Sequence, residues 1–176
     1  MTPDNVKPIV VAITGNVSAG KSTLAHRLEG YMVRYTDTTI LSSDTIRGEE
    51  KASGARVFAQ MREICMNRIE LKCDTILDST GMSPRYRKLI ADLQKDDRCT
   101  LIIIRLECDP QDWGEREKIR TDRQPIDKEF YEKSFQKFTE ADLTIETGRG
   151  RTLDLIFEEV RDYLDHTVYT TRIRPA

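Results

Sequence analysis

The sequence predicts an α/β fold in which a parallel sheet of five strands is covered by helices on both faces. Short apolar, β-branched segments alternate along the chain with longer segments of helical periodicity, the pattern of a parallel sheet with crossover helices. The first apolar segment is continuously hydrophobic, as expected of a strand buried on both faces. A chain of 176 residues without internal repeats has the size of one domain.

Five strands are predicted from short runs rich in valine, isoleucine, leucine and threonine. The first, KPIVVAIT at 7–14, is bounded by Pro8 and Gly15. The other four are TTILSS at 38–43, DTILDS at 74–79, TLIIIRLE at 100–107 and DLTIE at 142–146.

Helices are predicted between the strands from periodicity and capping residues. The apolar pattern from Lys21 onward is helical, and within 55–73 apolar residues recur every three or four positions. SPRYRKLIADLQ and DPQDWGEREKIR each begin with a capping residue followed by proline. The last strong helix follows Thr152 and ends at His166. Residues 1–166 are therefore predicted to form the domain and residues 167–176 a C-terminal tail.

Composition and charge restrict the function classes. Apolar residues make up 38% and charged residues 33% of the chain, which is typical of a water-soluble protein and predicts a cytoplasmic one. Neither a signal peptide nor an apolar run long enough to span a bilayer is evident. The net charge of −2 argues against a broad basic face that coats nucleic acid, but it does not exclude a local contact with a nucleic-acid end.

The cysteines are predicted to be reduced structural thiols. They form no C-x-x-C pair, and only His26 and His166 are available to complete a zinc site with them. His26, on the helix after the first loop, is predicted to be packed or exposed rather than catalytic. The four cysteines are Cys65, Cys73, Cys99 and Cys108.

The loop between the first strand and the first helix fits the phosphate-binding pattern G-x-x-x-x-G-K-[ST]. Glycines let backbone N–H groups turn toward a phosphate, and the helix N-terminus adds partial positive charge. Lys21 is expected to reach the β- and γ-phosphates of ATP or another NTP, and the Ser22 hydroxyl to bind Mg²⁺. The predicted nucleotide-binding residues are Gly15, Asn16, Val17, Ser18, Ala19, Gly20, Lys21, Ser22 and Thr23.

An aspartate and an arginine follow the second strand in LSSDTIRG. Ligands of doubly wound sheets bind outside the carboxyl ends of the strands, where Asp44 could accept a hydroxyl proton and Arg47 could bind a phosphate. Taken alone, Asp44 is more simply explained as a helix cap and Arg47 as a solvated side chain.

GNVSAGKST, LSSDTIRG, TILDSTGMSPRYRKL and EREKIRTDRQ, in that order, resemble the P-loop polynucleotide 5′-hydroxyl kinases, particularly the kinase modules of bacterial and phage end-healing enzymes. The resemblance covers about residues 7–138. It implies that Asp44 is the general base, that Arg47 binds the phosphate 3′ to the acceptor nucleoside, and that Ser43 assists at the hydroxyl.

The resemblance also extends to TILDST, the third strand. It makes Asp78 a candidate outer-shell ligand of the metal, and the alternative is a capping residue at a strand end. The family usually has asparagine where this chain has Gly81, so the contact made by that asparagine is not expected here.

Three arginines form the predicted lid. Arg116 and Arg120 are four residues apart and Arg123 follows, a pattern that by itself is typical of a solvated helix. Phosphoryl transfer leaves charge on the transferred group that arginines can neutralise, and the family's lid has arginines at these positions. The resemblance therefore implies that all three are catalytic, whereas Trp113 is expected to have a packing role.

The predicted function is transfer of the γ-phosphate of an NTP, with Mg²⁺, to the 5′-hydroxyl of DNA or RNA. One alternative is a P-loop kinase of a small metabolite, an antibiotic, a nucleotide sugar or an aminoacyl-tRNA. Another is a switch that hydrolyses NTP without an acceptor. Nucleic-acid ends are the expected partner, a membrane is not, and separate phosphatase or ligase proteins would be needed for end repair. The oligomeric state, donor base and DNA or RNA preference are not predicted.

Overall fold

The computed structural model of the protein describes residues 6–50, 54–119, 121, 127, 129, 132, 140–148 and 150–170. Strands and helices alternate along this part of the chain. In chain order they are β1 (Ile9–Gly15), α1 (Lys21–Met32), β2 (Thr38–Ser42), α2 (Ser43–Glu50), α3 (Gly54–Glu70), β3 (Asp74–Asp78), α4 (Pro84–Gln94), β4 (Thr100–Glu107), α5 (Pro110–Lys118), β5 (Leu143–Glu146) and α6 (Leu153–Leu164).

The five strands form one parallel sheet in the order β2-β3-β1-β4-β5, which confirms the predicted fold. The register sets Ser42 of β2 and Ile13 of β1 on either side of Asp78 in β3. Because all strands are parallel, their carboxyl ends meet at the same edge of the sheet. The loop after β1, Asp78 and the start of α2 therefore converge at that edge.

Helices bury an apolar core on each face of the sheet. On one face, side chains of α1, α5 and α6 pack against β1 and β4, and Trp113 of α5 is buried there, as its packing role predicted. On the other face α3 and α4 cover the sheet through residues such as Met61 and Tyr86. Uninterrupted burial of β1 from Ile9 to Ile13 reflects its central position between these two layers.

The predicted caps are present. Ser83 accepts a hydrogen bond from the backbone N–H of Arg85, and Asp109 and Thr152 cap α5 and α6 in the same manner. After α6 the chain continues as a π-helical segment, Asp165–Tyr169, and Val168 and Tyr169 are buried in the core. The packed part of the chain thus extends beyond residue 166, and residues 171–176 of the predicted tail lie outside the described residues.

The four cysteines are free thiols, and three of them are buried. Burial raises the pKa of Cys65 to about 12 and that of Cys99 to about 11. Because the reactive form is the thiolate, these thiols are poor nucleophiles, as expected of structural residues. No helix in the described ranges is both long enough and apolar enough to cross a bilayer.

Candidate active site

The phosphate-binding loop, or P-loop, begins with a glycine that no other residue can replace without strain. Gly15 has φ 130°, and a Cβ atom there would lie 1.9 Å from the Leu106 carbonyl oxygen on β4. β1 and β4 are paired at this point, so the chain must turn directly against its neighbouring strand. The first glycine of the motif is therefore required by the sheet as well as by the loop.

The P-loop is fixed internally by two buried polar side chains. Lys21 Nζ donates to the Asn16 carbonyl oxygen at 2.6 Å, and Asn16 Nδ2 donates to the Cys108 carbonyl oxygen at 3.3 Å. Asn16 is 2% exposed and Lys21 is 8% exposed. The lysine is thus part of a packed loop that is attached to the end of β4, and its ammonium group is bonded to the backbone of that loop.

Ser22 and Asp78 meet across the P-loop and β3. Ser22 Oγ donates to Asp78 Oδ2 at 2.6 Å, and Asp78 is 5% exposed. Burial is the main cause that raises the pKa of Asp78, and Asp44 raises it further, while the Ser22 hydrogen bond and Lys21 act in the opposite direction. Carboxylate and hydroxyl oxygens are hard ligands of the kind that Mg²⁺ prefers.

We expect Asp78→Asn to stabilise the protein in the absence of nucleotide and Mg²⁺. A carboxyl group whose folded-state pKa is raised contributes stability below its unfolded-state pKa of about 3.9, and that contribution is lost as the pH rises through the folded-state value. Asparagine carries no charge to desolvate and can still accept the Ser22 hydrogen bond. Urea unfolding at pH 7 should give a higher free energy of unfolding for the variant, and the difference should shrink toward pH 4. A variant less stable than wild type at pH 7 would contradict the assigned electrostatics.

Asp44 and Ser43 lie at the start of α2, directly after β2. Ser43 is 7% exposed, whereas the Asp44 side chain is 86% exposed and contacts Arg47 Nη1 at 3.2 Å. The Arg47 side chain is half exposed. Asp44 is therefore accessible to an acceptor, with a guanidinium group one helical turn away on the same face.

One cavity of about 420 Å³ is lined by the P-loop together with Ser43, Asp44 and Asp78. It extends from Asp44 and Asp78 across the P-loop to a second end formed by α5, the loop after β5 and α6. At that end Leu106 and Ile156 contribute apolar surface and Thr147 contributes a hydroxyl group. The residues that line the cavity are Val17, Ser18, Ala19, Gly20, Lys21, Ser22, Thr23, Ser43, Asp44, Asp78, Ser79, Thr80, Leu106, Arg116, Thr147, Arg151, Leu153 and Ile156.

Arg116 is held in the wall of this cavity. Its Nη1 donates to the Ser18 carbonyl oxygen at 3.0 Å and to Thr147 Oγ1 at 3.3 Å, and its Nη2 donates to the Thr147 carbonyl oxygen. These bonds connect α5 to the P-loop and to the loop after β5. The catalytic role predicted for Arg116 stays a prediction, and Arg120 and Arg123 lie outside the described residues.

Sequence reasoning missed four polar contributors to the site. Thr147 and Arg151 line the cavity from the loop after β5, and Ser79 and Thr80 line it after β3. For Thr147 and Arg151, the signal in the sequence is ETGRGRT, a short segment rich in glycine and arginine. His26, by contrast, has a side chain 75% exposed and is not among the described residues that line the cavity.

A five-stranded parallel sheet with a P-loop between its central strand and the first helix defines the P-loop kinase fold. A family model described as an AAA domain, AAA_33, matches residues 10–141. The chain belongs to that family. A search of curated proteins gives no match.

Solved structures, among them two kinases, share the fold at low sequence identity. The APS kinase CysC of Mycobacterium tuberculosis, in complex with AMPPNP and APS, is 19% identical with a TM-score of 0.66 over 91% of this chain and 99% of that one. The shikimate kinase of Bacteroides thetaiotaomicron is 15% identical with a TM-score of 0.59 over 90% and 97%. Kti12 of Chaetomium thermophilum, in complex with ADP-AlF3, is 17% identical with a TM-score of 0.63 over 90% and 98%.

Proposed function

We propose that this protein is an NTP-dependent phosphotransferase that transfers the γ-phosphate of ATP to a hydroxyl group of an anionic acceptor. The observation that carries the proposal is the shared cavity, in which the exposed carboxylate of Asp44 faces the same space as the P-loop. A nucleotide-binding loop and an acceptor-side base within one cavity are the parts that phosphoryl transfer to an alcohol requires.

Each residue has a role in this reaction. The P-loop and Lys21 bind the triphosphate. Asp44 takes the proton of the acceptor hydroxyl while the oxygen of that hydroxyl attacks the γ-phosphorus, and the bond between the γ-phosphate and ADP breaks. Ser22 and Asp78 would hold Mg²⁺ on the phosphates. The described residues contain no cluster of three or more histidine, cysteine, aspartate or glutamate side chains that could hold a metal ion. Mg²⁺ in kinases usually needs only one or two protein ligands, because phosphates and water supply the rest. The metal would neutralise charge on the phosphates.

The acceptor class is proposed from charge and from the comparisons. The guanidinium of Arg47 lies 3.2 Å from Asp44, so an anionic group near the reacting hydroxyl would be bound beside the base. The names of two structural neighbours, APS kinase and shikimate kinase, refer to small anionic metabolites. A small anionic acceptor is therefore at least as well supported as a nucleic-acid end.

A polynucleotide 5′-hydroxyl end is the second candidate acceptor. It is favoured by the S-D-x-x-R sequence of Ser43, Asp44 and Arg47, because the terminal nucleoside of such an end carries a phosphate on its 3′ side. In that case separate phosphatase or ligase proteins would complete end repair. An acceptor-free switch is less well supported, since no glutamine or glutamate is found among the described residues that line the cavity.

Label transfer from γ-labelled ATP to a panel of acceptors tests the proposal. The panel contains 5′-hydroxyl DNA and RNA oligonucleotides, nucleoside 3′-monophosphates, APS, shikimate and uncharged nucleosides. We expect label on an anionic acceptor, and which one it is identifies the class. Release of inorganic phosphate at a rate that no acceptor changes would favour the hydrolysing switch and contradict the proposal.

We expect Arg47→Ala to lower kcat/KM about 10- to 150-fold on an acceptor that carries the neighbouring anion, and to have little effect on a matched acceptor that lacks it. A charge-assisted hydrogen bond is worth roughly 1.5 to 3 kcal/mol, which gives that range. Nucleoside 3′-monophosphate and nucleoside form one such pair. Measuring both acceptors with both proteins gives a double-mutant cycle in which one change is the substrate phosphate. Additive effects would mean that Arg47 does not bind that phosphate, and a metabolite acceptor would then be favoured.

A further inference from the structure

Ser18, in the middle of the P-loop, has a backbone conformation that serine rarely adopts. Its φ is 59°, in the left-handed region, and the residue is not a glycine. Such conformations persist where surrounding contacts hold them, and they concentrate at ligand-binding sites. The next three residues, Ala19, Gly20 and Lys21, begin the turn that leads into α1. The orientation of their N–H groups therefore depends on how Ser18 is held.

Two consecutive residues of α5 hold Ser18. The Ser18 hydroxyl donates to Glu117 Oε1, and the Ser18 carbonyl oxygen accepts from Arg116 Nη1 at 3.0 Å. Ser18 is thus bound through its side chain and its backbone by residues about one hundred positions away in the sequence. Ser18 and Arg116 line the cavity, whereas Glu117 is not among its lining residues.

The buried position of Glu117 is unusual for its charge. The residue is 6% exposed, and it is hydrogen-bonded to a loop that is expected to bind a polyanion. Burial of a carboxylate is costly, and proximity to phosphates adds repulsion, so packing alone gives no reason for glutamate at this position. Holding a hydroxyl by a strong, charge-assisted hydrogen bond gives one.

We propose that Glu117 is a positioning residue for nucleotide binding, which acts by fixing Ser18 in its left-handed conformation. Arg116 fixes the carbonyl of the same residue, so the two side chains together set the shape of the P-loop before the nucleotide binds. The inference rests on the proposed function only in that the loop binds a nucleotide. It does not depend on the identity of the acceptor.

The test measures AMPPNP and Mg²⁺ binding by calorimetry, a readout that needs no acceptor. Glu117→Met keeps the length of the side chain and removes the acceptor, and we expect it to weaken binding roughly tenfold. Glu117→Gln should stay within about threefold of wild type, because its amide oxygen can accept the same hydroxyl. Glu115, exposed on the same helix, provides the control Glu115→Met, which should bind as wild type.

A second substitution separates positioning from packing. Glycine adopts positive φ without a steric penalty, so Ser18→Gly should restore most of the binding lost in Glu117→Met when the two are combined. Wild-type affinity in Glu117→Met would overturn the inference, as would a loss that Ser18→Gly does not relieve or an equal loss in Glu117→Gln.

If Glu117→Met fails to melt cooperatively, Ser18→Ala takes its place, and wild-type affinity of Ser18→Ala for AMPPNP would also overturn the inference. Wild-type protein that binds no AMPPNP would contradict the inference and the proposed function together.

Discussion

Asp44→Asn is expected to slow phosphoryl transfer by about 10²- to 10⁴-fold while leaving ATP affinity nearly unchanged. Asparagine has the size of aspartate but cannot take the proton of the acceptor hydroxyl. The side chain is 86% exposed and contacts Arg47, so the substitution removes little packing. Single-turnover label transfer at saturating ATP measures the effect on the chemical step directly.

The matched control for Asp44→Asn is Asp97→Asn. Asp97 is exposed before the amino end of β4, at the edge of the sheet opposite the cavity. The same change of charge at that position should leave turnover unaltered. An Asp44→Asn protein that bound ATP poorly but transferred phosphate at the wild-type rate would contradict the role of Asp44 as the base.

Lys21→Ala is expected to abolish detectable transfer. The ammonium group is the P-loop side chain that can neutralise the β- and γ-phosphates, and charge stabilisation is the main source of catalysis in phosphoryl transfer. Label transfer from γ-labelled ATP to the best acceptor measures the loss. Unchanged turnover would contradict the P-loop assignment.

Lys21 requires a control for folding, because it is 8% exposed and bonded to the Asn16 carbonyl oxygen. Its sequence position suggests a surface lysine with little packing, and the structure corrects that expectation. Lys21→Met retains the apolar stem and removes the charge, so it should be as inactive as Lys21→Ala and at least as stable. Lys95→Ala, at an exposed position after α4, should be active.

The sheet and most of the residues that line the site could be predicted because their signals are local. β1 and β4 are nearly continuous apolar runs, and the P-loop is a contiguous motif between a strand and a helix. Asp44 and Asp78 could be placed at one edge because the carboxyl ends of parallel strands meet there. The observed register agrees with this placement, because it aligns Ser42, two residues before Asp44, with Asp78.

The rest of the site, and the way in which its residues are held, depend on contacts that no local pattern encodes. Ser18 meets Glu117 across 99 positions, and Arg116 meets Thr147 across 31. In the sequence, Glu117 is one of many charges in a helix that is typical of a solvated surface. Only the packing of α5 against the P-loop distinguishes it from exposed Glu115.

Acceptor identity could not be predicted for a related reason. The fold is shared by an APS kinase and a shikimate kinase, whose names refer to different acceptors, and these two structures are 19% and 15% identical to this chain. Fold alone therefore does not define the substrate. We propose that a few side chains that follow β2 and β3 determine the acceptor, and of these Arg47 has the clearest chemical preference.

The most direct test of the central claim, that the P-loop and Asp44 form one site for transfer to a hydroxyl group, is a single-turnover experiment. Wild type, Lys21→Ala and Asp44→Asn are mixed with γ-labelled ATP and the best acceptor from the panel, and AMPPNP binding is measured in parallel. We predict rapid labelling of the acceptor by wild type, no detectable labelling by Lys21→Ala, and labelling by Asp44→Asn that is slowed by about 10²- to 10⁴-fold while AMPPNP binding is retained. Transfer by Asp44→Asn at the wild-type rate would contradict the claim.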